Sequence, residues 1–197
     1  MSGKSPNVSR MTHQISESER WQKTGHKSGV LWFTGLPGSG KTTLITKLKP
    51  LLMEHGYAAC ELDNKAFRDG LSSNLGFSRQ DRRENIRRAG EVAALMARSG
   101  QIVLSGFISP YVEDRIIARK ATGGNFHEIY LNPDAEICEK RDPGGYYKQA
   151  RNGEIENFTG VNAPYEEPLT PELTIDTGVL TVGETLEILY EYVARVF

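Results

Sequence analysis

Cysteine is scarce: two residues in 197, Cys60 and Cys138, with no paired spacing between them. That excludes a disulfide framework or a zinc ribbon, and it fits a reduced, cytoplasmic protein. The four histidines, His13, His26, His55 and His127, are scattered without the spacing that would hold a metal. No apolar run approaches the roughly 18 residues that a membrane-spanning helix requires. The N-terminal stretch also lacks the apolar segment of a secretory signal. Nor does one sign of charge dominate, since 24 Lys and Arg against 25 Asp and Glu leave a net charge of −1. A general attraction to nucleic acid or to an anionic membrane is thereby excluded, and any anion must be bound by local clusters. The tripeptide Phe-Thr-Gly recurs at 33–35 and 158–160, too short to make a repeat.

What is present is an alternation of apolar runs with helical patterns over a length that suits one domain. Residues 1–27 are polar and poorly periodic and read as an N-terminal arm, partly disordered, ahead of a domain over 28–197. Strands are predicted at 29–34, 57–62, 101–107, 127–131 and 173–176, and helices at 41–55, 79–99, 112–121, 134–142 and 182–196. Pro50 predicts a kink or a reorganised turn in the first of these helices. Strands separated by helices imply an α/β fold of three layers, with a mostly parallel five-stranded sheet.

After the apolar run Val30–Phe33 comes Gly35-Leu36-Pro37-Gly38-Ser39-Gly40-Lys41-Thr42, followed by Thr43 and a helical pattern. This is the complete G-x-x-x-x-G-K-[ST] phosphate loop in the context that gives it meaning. Its glycines allow backbone N–H groups to turn inward on a polyphosphate, Lys41 reaches the outer phosphates, and the Thr42 hydroxyl can sit on magnesium. The chain therefore binds ATP or another nucleoside triphosphate.

An acceptor site should lie beyond the carboxyl ends of the strands. Asp63, at the end of the second strand, is placed to accept a hydroxyl proton or to order magnesium-bound water, or simply to cap a helix. Arg82 and Asn85 share one face at the start of the long helix, a combination suited to an anionic substrate. Arg79 and Arg83 read as a solvated face, and Phe77 as either a base-stacking ring or a hydrophobic staple. From 141 to 168 the chain carries four glycines and three prolines among Arg141, Lys148 and Arg151. A long basic connection of this kind predicts a mobile lid that closes over phosphates.

Longer strings carry a resemblance. Leu75-Gly76-Phe77-Ser78, Asp81-Arg82, Glu84-Asn85-Ile86-Arg87-Arg88, Phe107-Ile108-Ser109-Pro110-Tyr111 and Arg141-Asp142-Pro143 together resemble the adenylylsulfate kinases. So do Tyr147-Lys148, Phe158-Thr159-Gly160 and Pro164-Tyr165-Glu166. The resemblance implies phosphoryl transfer from ATP, with Mg2+, to the ribose 3′-hydroxyl of adenosine 5′-phosphosulfate. It implies an acceptor pocket of Asp63, Arg68, Phe77, Arg82, Asn85, Ile108, Ser109, Lys148, Phe158 and Thr159. Lys41, Asp63 and Ser109 are the implied catalytic residues, and Thr42 and Asp63 the implied metal contacts. A homodimer, and a sulfate adenylyltransferase as partner, belong to the same expectation.

One departure stands out. Where the family has Leu-Asp-Gly-Asp-Asn-x-Arg, this chain reads Leu62-Asp63-Asn64-Lys65-Ala66-Phe67-Arg68, so a carboxylate has become Lys65. That leaves two other readings open: a kinase of another nucleotide conjugate, such as a cytidine diphosphoramidate, or a nucleotide-binding regulatory module without turnover.

Overall fold

The computed structural model describes residues 15–142 and 144–197; residues 1–14 of the expected arm, His13 among them, and Pro143 of the expected lid lie outside it. The rest of the arm is ordered into α1 (Glu17–Thr24), because Ser16 and Glu19 satisfy each other's backbone N–H groups in a capping box. Trp21 anchors this helix by donating its indole N–H to the Ser28 hydroxyl at 3.1 Å.

The sheet consists of β1 (Gly29–Thr34), β2 (Ala59–Asp63), β3 (Ile102–Gly106), β4 (Phe126–Leu131) and β5 (Leu173–Ile175). Their spatial order is β2-β3-β1-β4-β5, and every pairing is parallel. The expected strands are therefore all present, in a sheet parallel throughout. On β1, Leu31 and Phe33 point to one face and Val30 and Trp32 to the other, the alternation that a strand buried on both sides requires.

The first face is covered by α2 (Lys41–Glu54) and α8 (Val182–Val196), which contribute Leu44, Leu48, Leu52, Leu189 and Val193. The second is covered by α4 (Arg79–Arg98) and α5 (Val112–Thr122), with Ile86, Ala89, Ala93 and Ala118 beneath Trp32 and Phe107. Helices α4 and α5 approach closely at Gly90, where a Cβ would stand 2.7 Å from the Cα of Ala118. Helix α2 persists through Pro50 rather than ending there.

Besides α1, two short helices were not expected: α3 (Asn64–Asp69), directly after β2, and α7 (Tyr146–Arg151), inside the segment read as a lid. A third, α6 (Ala135–Lys140), occupies the predicted 134–142 region. Helix α3 exists because Asp63 caps it and Phe67 reaches into the second core cluster.

Candidate active site

The carboxyl ends of β1, β2 and β3 open into a cleft of about 750 Å3. One wall is the phosphate loop between β1 and α2, contributing Pro37, Gly38, Gly40, Lys41, Thr42 and Thr43. Gly38 and Gly40 lie at φ +83° and +96°, the left-handed region in which a side chain is strained. Gly38 also abuts the Cys138 carbonyl, which a Cβ there would meet at 2.5 Å. The Lys41 ammonium donates to the carbonyls of Gly35 (2.9 Å) and Leu36 (2.8 Å) and to the buried Ser39 hydroxyl (3.1 Å). Loss of hydration in this position pulls its pKa down to about 7.

Asp63, Asn64 and Lys65 form the opposite wall, with Gly106 and Ile108 between. The Asp63 carboxylate faces the cleft but is partly engaged: one oxygen accepts from the N–H groups of Lys65 (2.9 Å) and Ala66 (3.1 Å). Of the roles open to it, the helix cap is the one observed. A hard cation is compatible with this donor set, because magnesium keeps most of its waters and leans on phosphates and one or two protein oxygens. Thr42 and Asp63 offer such oxygens within one cleft, and no larger cluster of His, Cys, Asp or Glu occurs among the described residues.

Arg68, Phe77, Arg82 and Asn85 gather beside the cleft rather than lining it. The Arg68 and Arg82 guanidiniums stand 4.2 and 5.5 Å from the centroid of the exposed Phe77 ring. Burial lowers both arginine pKa values, and the Arg82 charge depresses that of Arg68 further. Two cations held this close favour an anion between them. Asn85 is buried on α4 and donates through Nδ2 to Asn64 Oδ1 at 3.1 Å, which links this cluster to the cleft wall.

Four expected residues sit elsewhere. The Ser109 hydroxyl is turned into the interior, accepting from the Trp32 indole and donating to Thr34, both at 3.1 Å. It is 2% exposed and sits in a φ +40° turn, so the role observed for its hydroxyl is a scaffold contact. Thr159 is buried as well, and Lys148 is exposed on α7. Phe158 packs edge-on against Tyr147, their rings 5.0 Å apart. Arg79 corrects another expectation: it is not simply solvated but pairs at 2.7 Å with the fully buried Asp114 and lies over Tyr111. Arg83 does keep to the surface, beside Glu113.

Other residues of the site were not foreseen. Thr177 donates to the Ser39 carbonyl at 2.9 Å, and Arg141 donates to the Thr177 carbonyl at 2.6 Å, strapping the phosphate loop from behind. Thr181, Val182 and Thr185, at the start of α8, complete the cleft. From the expected lid, Tyr147 donates to the Pro37 carbonyl at 2.8 Å, while Arg82 donates to the Asn157 carbonyl. One segment thus touches both the phosphate loop and the arginine cluster.

Residues 27–176 match the family model described as adenylylsulphate kinase. The chain belongs to that family. The kinase is 51% identical to an adenylyl-sulfate kinase of Bacillus pumilus over 91% of each chain. It is 48% identical to one of Staphylococcus carnosus over 96% of each. Among solved structures it resembles the Mycobacterium tuberculosis APS kinase CysC in complex with AMPPNP and APS. That match has 40% identity and a TM-score of 0.80, and covers 84% of this chain and 96% of the other. No helix among the described residues is long and apolar enough to cross a membrane.

Proposed function

We propose that this kinase transfers the γ-phosphoryl of ATP to the ribose 3′-hydroxyl of adenosine 5′-phosphosulfate, giving ADP and 3′-phosphoadenosine 5′-phosphosulfate. The observation that carries this reading is a single cleft joining the phosphate loop to Asp63, with the Arg68–Phe77–Arg82 cluster immediately beside it. The loop glycines and Lys41 hold the donor phosphates. The paired guanidiniums hold the acceptor's anionic end against Phe77, whose ring offers a stacking face to the base. Asp63 receives the hydroxyl proton. Thr42 and Asp63 would hold magnesium, which would supply charge neutralisation for the donor phosphates. Such transfer depends on positioning and electrostatics more than on a strong base, so one cleft carboxylate suffices.

The segment from 141 to 168 acts as the lid, since its contacts with Pro37 and Arg82 span both nucleotides. A homodimer, a cytoplasmic location and supply of the acceptor by a sulfate adenylyltransferase belong to the same reading, and the family resemblance supports them.

Coupled ADP-release assays with several acceptors test it. Turnover with adenosine 5′-phosphosulfate and magnesium, abolished by a chelator, is expected. Activity only with a cytidine conjugate, or none with any acceptor, would overturn it.

A further inference from the structure

Among the described residues, four charged side chains line the cleft: Lys41, Asp63, Lys65 and Arg141. Three are already engaged. Lys41 donates to two carbonyls and a hydroxyl, Arg141 grips Thr177, and Asp63 accepts from two backbone N–H groups. Lys65 differs. It is exposed toward the cleft and belongs to none of the ion pairs found among the described residues. Its backbone is nevertheless fixed, by the Asp63 carboxylate on its own N–H at 2.9 Å and by Phe67 buried two residues on.

We propose that Lys65 is a phosphoryl-contacting cation, which takes up the negative charge on the group passing from ATP to the acceptor. This rests on the kinase reading above. In the step, the acceptor oxygen forms a bond to the γ-phosphorus while the bond from that phosphorus to the β–γ bridging oxygen breaks. The electron pair leaves with ADP, and the hydroxyl proton passes to Asp63. Lys65 gains and loses nothing; it belongs to the wall that faces the phosphate loop carrying Lys41, so its ammonium can meet the moving phosphoryl from the other side. With Asp63 the sole cleft carboxylate among the described residues, the wall facing the phosphate loop is not net negative, and it attracts the phosphoryl group instead of repelling it.

The test uses the full chain with Lys65→Ala, Lys65→Arg and Lys65→Asp. Two readouts are taken: kcat for ADP release, and the affinity for ADP with tetrafluoroaluminate, a mimic of the transferring phosphoryl, in the presence of adenosine 5′-phosphosulfate. Because Lys65 is exposed, Lys65→Ala should leave the thermal midpoint and the affinity for ADP alone unchanged. Its kcat and its affinity for the mimic should each fall roughly ten- to hundredfold, as expected for a charge-assisted contact. Lys65→Arg should keep most of both, and Lys65→Asp should be at least as impaired as Lys65→Ala. Unchanged mimic affinity in Lys65→Ala, or a Lys65→Asp variant as fast as the parent, would overturn the assignment. A parent chain that turns over no acceptor at all would overturn the kinase reading itself, and this inference with it.

Discussion

The Tyr147 hydroxyl is bonded to the carbonyl of Pro37 at 2.8 Å, across 110 residues of sequence. Helix α7 is thereby tied to the phosphate loop, and Tyr147 is 2% exposed with its ring against Phe158. One side chain thus joins the 141–168 segment to the donor loop.

Tyr147→Phe keeps the ring and removes only this bond. Stability should fall by about 1 kcal/mol, and kcat/KM for ATP should drop several-fold as α7 loses its purchase on the loop. Chemical denaturation and steady-state kinetics measure the two effects. An unchanged kcat/KM would separate α7 from donor binding.

Lys41 gives a pH dependence with a definite sign. Its folded pKa of about 7 lies below the ordinary 10.5, so between these values the unfolded chain holds more protons than the folded one. Its contribution to stability therefore rises with pH across that window and is at its lowest below about pH 7. Polyphosphate binding favours the charged ammonium, so affinity should weaken as pH climbs above about 7. Titration calorimetry at pH ~8 in buffers of different ionisation enthalpy should show proton uptake on ATP binding. Lys41→Ala should abolish that uptake and lower phosphoryl transfer by several orders of magnitude.

Gly38 tests the loop's backbone. Gly38→Ala must adopt φ +83° and accommodate a Cβ 2.5 Å from the Cys138 carbonyl, a backbone atom that cannot swing aside. Nucleotide affinity should fall at least tenfold, corresponding to roughly 1–3 kcal/mol of strain. Gly124→Ala, with nothing within 4 Å of its Cβ position, serves as the control and should bind ATP normally.

Arg115 reports on the turn behind the site. It is 3% exposed, pairs with Glu128 at 2.6 Å, and donates to the carbonyls of Ser109 (2.7 Å) and Glu166 (2.8 Å). Arg115→Met removes the nearer and more buried of two cations on Glu128, leaving Arg119 at 3.5 Å, so a loss toward the lower end of about 3–5 kcal/mol is expected in denaturant unfolding. Replacing both residues with apolar ones should recover part of it.

The chain itself determined the phosphate loop and the five strands, because both rest on local patterns. The glycines at fixed offsets before Lys41, set between a strand and a helix, specify the loop, and the all-apolar run Val30–Phe33 reads as a strand buried on both faces. The acceptor residues were legible only as family strings: nothing in Arg68, Phe77 and Arg82 says that two guanidiniums will flank one ring. Tertiary structure decided what depends on distant partners. Asp114, 35 residues from Arg79, gives an exposed arginine a buried carboxylate as its partner. Thr177 reaches Ser39 across 138 residues and so becomes part of the phosphate site. The Ser109 hydroxyl turned inward because Trp32 needed an acceptor for its buried indole N–H. Local hydrogen bonds and periodicity are written in neighbouring residues, whereas the pairing of buried polar groups is settled only when the sheet brings separate strand ends together.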